Sequence, residues 1–187
     1  MKFNKNRGMP LILTGVIVAV DQVIKAIIAA FWPIILTEDG YRSRIIANVI
    51  GEDFLRITHV RNTAIAFSLG RDLPEALQPV LFIVLPLLVL GVLVWYYLRS
   101  NDFTGLQRWA VAGILGGGIG NLIDRIFRPD GVIDFIDFKF YGIFGFERWP
   151  TFNIADASVV VCCLLLFVSL IIIGIKKPKS IKRKTVK

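Results

Sequence analysis

Four apolar runs, each long enough to cross a lipid bilayer, constrain this chain more than any other feature. They cover residues 9–32, 78–98, 106–127 and 152–175. A bilayer core of about 30 Å requires about 20 consecutive apolar residues in a helix. The runs therefore predict an all-α integral membrane protein with four transmembrane helices, organised as a single polytopic membrane domain over residues 1–187.

The composition fits short loops between membrane helices rather than a soluble domain. Of the 187 residues, 55% are hydrophobic and 19% are charged. The net charge of +8 would also suit a nucleic-acid-binding protein, but seven of the 22 basic residues lie in the tail 176–187, and none alternates with aromatic residues. We therefore expect contact with membrane lipids and no nucleic-acid partner.

The distribution of basic residues predicts the orientation of the chain. Residues 1–7, the turn 99–108 and the basic tail 176–187 hold 12 Lys and Arg residues and one acid. The loops 33–77 and 128–151 hold eight basic residues and ten acids. Because the more basic segments stay in the cytoplasm, both termini are predicted to be cytoplasmic and the two larger loops to lie outside.

The first outer loop is predicted to contain a small sheet on the membrane surface. A polar loop comes first, and the segment Phe54–Arg61, which is rich in β-forming residues, follows it.

Polar residues within two of the apolar runs need a physical reason, because an acid at the bilayer centre costs roughly 3 kcal/mol. Asn153 and Asp156 are three residues apart, and Asp21 and Lys25 are four apart. In a helix, both spacings place the two side chains on one face. The first pair indicates either a packing hydrogen bond or part of a site. For the second pair we favour an ion pair that supports a site indirectly.

Glycines fill the middle of the third run. Gly116 and Gly120 have the spacing that lets two helices approach closely, which predicts helix packing. A phosphate-binding loop is the alternative, but no nucleotide-binding motif is complete here. Cys162 and Cys163 are adjacent and poorly placed to bridge each other, so we predict packing roles for both.

Three acids fall where the third run ends and the fourth begins: Asp124, Asp134 and Asp156. Two neighbouring carboxyls can share a proton, so that one activates water while the other donates to a carbonyl. The only histidine is His59, which leaves a zinc site short of ligands, and we predict no metal and no cofactor. The residues alone leave three interpretations open: an aspartic hydrolase, a small proton-coupled transporter using intramembrane carboxylates, and a non-catalytic scaffold.

Five short motifs occur in order along the chain. They are Asp21-Gln22-x-x-Lys25, Asn62-x-x-x-Ala66-Phe67-Ser68, Gly120-Asn121-Leu122-Ile123-Asp124-Arg125, Val132-Ile133-Asp134-Phe135 and Phe152-Asn153-Ile154-Ala155-Asp156. Together they resemble the lipoprotein signal peptidases (signal peptidase II) of bacteria, and the resemblance extends over nearly the whole chain.

The resemblance implies a monomeric enzyme of the bacterial inner (cytoplasmic) membrane, with a small β-cradle on the outer (periplasmic) face and an active site near that face. It would remove the signal peptide from lipid-modified prolipoproteins by cleaving before the diacylglyceryl-modified cysteine. The catalytic pair of this aspartic endopeptidase would be Asp134 and Asp156. The substrate-binding or supporting residues would be Asn62, Asn121, Asp124, Arg125, Asn153, Asp21 and Lys25.

One acid carries two competing interpretations. Asp124 adjoins Arg125 and is expected to form a structural ion pair. The alternative makes Asp124, rather than Asp134, the partner of Asp156.

The chain departs from the family pattern at two places. Ala64 and Ile65 stand where the family usually has glycine and alanine. If that glycine has a positive φ, Ala64 would be strained there. The aromatic segment 139–150 is longer than typical; we expect an interfacial belt, with a flap over the site as the alternative.

Overall fold

Four long helices form the body of the computed structural model, which describes residues 5–36, 42–63, 74 and 77–176. Within these residues, four helical segments are long and apolar enough to cross a membrane: 8–31, 80–99, 105–127 and 154–175. The predicted fold class is therefore confirmed, and each span lies within two residues of its predicted bounds. The helices are α1 (Lys5–Phe31), α2 (Leu85–Arg99, preceded by a π-helical turn Val80–Val84), α3 (Gly105–Phe127) and α4 (Ile154–Lys176).

Helix α3 is the central helix and packs against α1 and α4. A Cβ atom added at Gly116 would lie 2.9 Å from Cβ of Ile17 in α1. A Cβ atom added at Gly117 would collide with the carbonyl oxygen of Ala155 in α4. The glycines of α3 therefore permit close helix packing, as predicted, and they lie within a continuous helix rather than in a phosphate-binding loop.

The start of α3 has a local sequence cause. The Thr104 hydroxyl accepts a hydrogen bond from the Gln107 N–H at 3.3 Å, and the Gln107 side chain accepts one from the Thr104 N–H at 3.0 Å. This reciprocal capping box satisfies backbone donors that the first helical turn leaves free.

A small antiparallel sheet lies at one end of the helix bundle. Its strands are β1 (Ile35–Leu36), β2 (Arg42–Ile50), β3 (Leu55–Asn62) and β4 (Val132–Phe138), paired in that order. Strand β4 follows α3 and leads to the start of α4, where the Phe152 N–H donates to the Ile136 carbonyl at 3.0 Å. This bond ties the edge of the sheet to the beginning of α4. A buried cluster of Ile28, Ile133 and Phe135 joins the sheet to α1.

Three of these strands are not predicted from the sequence. The stretch before Phe54, assigned to a loop, contains β1 and β2, and no strand is predicted at β4. The reason is that β4 carries acids at positions 134 and 137, which breaks the alternation of polar and apolar residues that marks a strand. Its pairing with β3, which is remote in sequence, supplies the missing stabilisation.

Several sequence predictions lie outside the described residues. These are the positions Ala64 and Ile65, the motif Ala66-Phe67-Ser68 and the basic tail beyond residue 176.

Candidate active site

The residues singled out by the sequence converge at the sheet end of the bundle. Helix α1 contributes Asp21 and Lys25, and α3 contributes Asn121, Asp124 and Arg125. The sheet contributes Asn62 and Asp134, and the start of α4 contributes Asn153 and Asp156.

Asp156 is held by the first turn of its own helix. Asn153 precedes α4 and Asp156 is its third residue. The Asp156 N–H donates to Asn153 Oδ1 at 2.9 Å, and the Asn153 N–H donates to Asp156 Oδ2 at 3.1 Å. This arrangement caps the helix and places the carboxylate at the positive end of the helix dipole. The predicted proximity of the Asn153 and Asp156 side chains is thus explained by this reciprocal helix cap.

Asp134 lies in β4 and is 2% exposed. Its two oxygens accept hydrogen bonds from Asn62 Nδ2 at 2.9 Å and Asn153 Nδ2 at 2.7 Å. Burial and, next, the negative charge of Asp156 raise the pKa of Asp134 to about 7; the two amides partly offset this. Asp134 therefore holds a proton at higher pH than a solvent-exposed aspartate does.

Two asparagine amides connect the two carboxyl groups. Asn153 Nδ2, which donates to Asp134, also donates to Asn121 Oδ1 at 3.0 Å. Asn121 Nδ2 donates to Asp156 Oδ1 at 2.6 Å. The hydrogen-bonded order is thus Asp134, Asn153, Asn121 and Asp156. Such a pair can hold one proton between two acids of unequal proton affinity.

Lys25 contacts Asn121, one member of this series of hydrogen bonds, and two further acids. Its Nζ atom is 2.7 Å from Asp21 Oδ2, 3.1 Å from Asp124 Oδ2 and 3.1 Å from Asn121 Oδ1. An ammonium group has three N–H donors, and here each has an oxygen partner. The side chains of Lys25, Asp21 and Asp124 are fully buried, so the ion pairs are shielded from solvent.

The same two acids also fix the backbone beside the catalytic candidates. Asp21 Oδ1 accepts the N–H of Ala155, the residue before Asp156, at 3.1 Å. Asp124 Oδ2 accepts a hydrogen bond from the N–H of Ile133, the residue before Asp134, at 3.1 Å. Asp21 and Lys25 thus form the predicted ion pair, and Asp21 also holds the backbone next to Asp156.

Asp124 forms ion pairs with Lys25 and Arg128, whereas the sequence points to its neighbour Arg125 as the partner. Its oxygens also accept from Gln22 Nε2 at 2.9 Å and from the backbone of β4. Arg125, the adjacent residue in sequence, instead places its guanidinium 5.1 Å from the centre of the Phe82 ring. Arg125 also lies within electrostatic range of both Asp134 and Asp156.

Two residues of the site are not among the predicted supporting residues. Gln22 donates to Gly120 O at 2.9 Å as well as to Asp124, and Arg128 donates to Gln22 Oε1 at 2.9 Å. A signal for each exists in the sequence. Gln22 is polar within an apolar run beside Asp21, and Arg128 follows Asp124 by four residues, the spacing of a helical ion pair.

The histidine has a structural role in the described fold. His59 is buried in β3, and its Nδ1 atom is 2.7 Å from the Trp32 carbonyl at the end of α1. Burial lowers the pKa of His59, and the positive charge of Arg61 lowers it further. The hydrogen bond to the Trp32 carbonyl acts in the opposite direction. His59 therefore links the sheet to α1.

Comparison with known proteins identifies the family. The family described as "Signal peptidase (SPase) II" matches residues 13–172. The chain belongs to the signal peptidase II family. The lipoprotein signal peptidase of Treponema pallidum (strain Nichols) is 48% identical over 91% of this chain and 87% of its own length. That of Treponema denticola is 45% identical over 96% of this chain and 98% of its own.

Solved structures of bacterial membrane enzymes have the same fold. One is 30% identical, with a TM-score of 0.70 over 94% of this chain and 95% of its own. A second is 28% identical, with a TM-score of 0.67 over 87% of this chain and 92% of its own. This member of the signal peptidase II family is therefore a peptidase and a multi-pass membrane protein, and nothing supports the transporter interpretation.

Proposed function

We propose that the chain is an aspartic endopeptidase that removes the signal peptide from lipid-modified prolipoproteins, cleaving before the diacylglyceryl-modified cysteine. The proposed catalytic pair is Asp134 and Asp156. The observation that carries this assignment is the series of hydrogen bonds through Asn153 and Asn121, which joins the buried Asp134 to the partly buried Asp156.

The two acids have different surroundings, which suits one of them to act as a general acid and the other as a general base. Asp134 lies in the edge strand β4, where burial raises its pKa to about 7, so it keeps its proton to a higher pH than a free aspartate does. Asp156 lies at a helix N-terminus, where the helix dipole attracts negative charge, and accepts hydrogen bonds from the Asn153 N–H and from Asn121. We therefore assign Asp134 as the initial general acid and Asp156 as the initial general base.

The reaction then proceeds in two proton-balanced steps. Asp156 takes a proton from water as the water oxygen bonds to the scissile carbonyl carbon, and Asp134 gives its proton to the carbonyl oxygen, forming a gem-diol. Next the C–N bond breaks, the departing amine takes the proton from Asp156, and one gem-diol hydroxyl returns its proton to Asp134. Both acids end in their starting states.

The neighbouring residues have positioning and binding roles in this proposal. Asn62, Asn121 and Asn153 orient the two carboxyl groups through the hydrogen bonds described above. Arg125 is in electrostatic range of both acids and is proposed to bind substrate.

The cellular setting follows from charge and substrate. We place the protein in the bacterial inner membrane as a monomer, with both termini cytoplasmic and the site near the outer face. The excess of basic residues in segments 1–7, 99–108 and 176–187 supports this orientation.

The decisive experiment is cleavage of a purified, lipid-modified prolipoprotein by the protein reconstituted in lipid. Asp134→Asn and Asp156→Asn should each slow cleavage by roughly 10²-fold or more and leave the lipidated precursor uncut, because each removes a proton-transfer group. Asp130→Asn is the matched control: this acid is exposed and lies four residues before Asp134. It should cleave at the rate of the unmodified protein.

Two results would contradict the assignment. Normal cleavage by either Asp→Asn variant would remove that residue from the mechanism. Loss of cleavage by Asp124→Asn with normal cleavage by Asp134→Asn would make Asp124 the partner of Asp156 instead.

A further inference from the structure

The segment between β4 and α4 folds into a compact hairpin, here called the aromatic hairpin (residues 139–149). The Phe140 N–H donates to the Glu147 carbonyl at 2.8 Å, and the Gly142 N–H donates to the Phe146 carbonyl at 3.0 Å. The Trp149 N–H returns to the Phe138 carbonyl at 3.0 Å. These bonds give the hairpin a defined backbone.

Ion pairs fix the base of the aromatic hairpin to the sheet. Arg148 Nε lies 2.8 and 2.9 Å from the two oxygens of Asp137 in β4. Arg148 Nη1 and Lys139 Nζ both reach Asp53, at 3.3 and 3.2 Å. The base is therefore attached to both β4 and the turn before β3.

Some of its aromatic rings pack inward. The Phe140 and Trp149 rings have centroids 5.0 Å apart, and Trp149 stacks on Phe138 at 6.3 Å. Phe138 also contacts Phe152, at 6.0 Å, just before α4. The inner rings thus hold the hairpin against the start of a membrane-spanning helix.

The tip of the hairpin turns its apolar side chains outward. Tyr141, Ile143 and Phe144 are 64%, 50% and 85% exposed. Tyr141 and Phe144 have φ angles of 54° and 53°, in the left-handed region that non-glycine residues rarely adopt. Such a backbone conformation is unfavourable and persists only where surrounding contacts impose it. The fixed hairpin therefore keeps these apolar side chains exposed at its tip.

The apolar tip continues onto the neighbouring sheet. Tyr141 stacks on Phe54 with ring centroids 6.3 Å apart and planes 17° apart. Beside Phe54, the end of β2 exposes Val49 and Ile50. The result is an apolar surface rather than a single exposed ring.

The position of this surface indicates what covers it. Phe31 and Phe127, the last residues of α1 and α3, are 71% and 74% exposed at the same end of the bundle. In membrane proteins, aromatic side chains concentrate at the ends of the spanning helices, because their rings favour the boundary between lipid and water. In water, large apolar side chains this exposed would lose the favourable free energy of burial, which contact with lipid supplies.

We propose that the hairpin tip, formed by Tyr141, Ile143 and Phe144, inserts into the lipid–water interface at the active-site end of the bundle. Membrane lipid covers the tip, and the strained backbone keeps the rings in that position. The hairpin is thus an interfacial anchor beside the start of α4. This proposal concerns lipid contact and does not depend on the catalytic assignment.

The test measures the depth of spin labels in vesicles of phosphatidylcholine and phosphatidylglycerol. Labels are attached at Tyr141→Cys and Phe144→Cys in the full chain lacking Cys162 and Cys163, both replaced by alanine. Labels at the tip should collide several-fold more with lipid-soluble oxygen, relative to a water-soluble nickel complex, than a label at the matched control Glu147→Cys. Glu147 is in the same hairpin and its side chain is 69% exposed.

Three outcomes would overturn the proposal. Tip labels as accessible to the nickel complex as the control would place the tip in water. Protection from both reagents would mean that protein covers it. Spin–spin broadening that grows with protein density would identify a second copy as the occupant. Thermal unfolding of each variant, measured in parallel, separates these outcomes from loss of the fold.

Discussion

At the scale of single residues, Asp134 makes the stability of the fold depend on pH. Its pKa rises from 3.8 to about 7, first because of burial and then because of the charge of Asp156. A carboxyl group with a raised pKa binds its proton more tightly in the folded chain than in the unfolded chain. Its contribution to stability is therefore complete below pH 3.8 and is lost as the pH rises to about 7.

We expect the melting temperature of the unmodified protein to fall across this pH window more steeply than that of Asp134→Asn. The amide of the variant does not titrate, so the variant lacks this contribution, which is worth about 1.4 kcal/mol per unit of pKa difference. Melting curves at a series of pH values, in the same lipid or detergent, would measure the difference. Parallel curves for the two proteins would mean that Asp134 does not hold a proton in the fold.

At the scale of elements, Gly117 decides how closely α3 approaches α4. A Cβ atom there would meet the carbonyl oxygen of Ala155, which belongs to the backbone and cannot move without shifting the first turn of α4. That turn carries Asp156, so the shift would also separate Asp156 from Asn121. Gly117→Ala is expected to lower stability by about 1–3 kcal/mol, through overpacking, and to reduce cleavage.

The adjacent glycine is the matched control. A Cβ atom at Gly118 would meet the end of the Leu90 side chain, 2.7 Å from Cδ2, which can rotate away. Gly118→Ala should therefore unfold and cleave close to the unmodified protein. Thermal unfolding and cleavage of both variants test the difference, and equal losses in the two would show that packing of α4 on Gly117 has no special role.

The elements differ in how well the sequence predicts them. Apolar runs define the four helices, because a bilayer span is a local property of about 20 consecutive residues. Strand β4 depends instead on pairing with β3, with partners such as Val60 and Asp134, and that pairing contains a register shift between Ile57 and Val60. No local pattern encodes such a pairing, so the strand that carries Asp134 could not be predicted as a strand.

At the scale of the whole molecule, the sequence motifs name most of the residues that meet at the candidate site, but they do not predict the contacts between them. The motif resemblance names Asp134, Asn153 and Asp156, which the structure brings together. It does not indicate that Lys25 in α1 would contact Asn121 in α3, because that contact depends on how α1 and α3 pack. The site thus depends on the assembly of the helices and the sheet.

Lys25 joins α1 to α3 at the site through Asp124 and Asn121. Its ammonium balances Asp21 and Asp124, which in turn hold the backbones of α4 and β4. Lys25→Met removes the positive charge and leaves two buried carboxylates. Breaking a buried ion pair in this way costs about 3–5 kcal/mol, since the remaining charge is no longer compensated.

The matched substitution is Lys139→Met, which breaks a partly exposed pair with Asp53. Pairs near the surface contribute about 0–1 kcal/mol, so this variant should unfold almost as the unmodified protein does. Chemical or thermal unfolding of both variants would measure the difference in free energy of unfolding. Equal stabilities would contradict the central role of Lys25. A further variant combines Lys25→Met with Asp21→Asn and Asp124→Asn. The neutral amides relieve the charge imbalance but do not replace the hydrogen bond from Lys25 to Asn121. If this triple variant regains stability while cleavage stays low, then Lys25 also positions Asn121 towards Asp156.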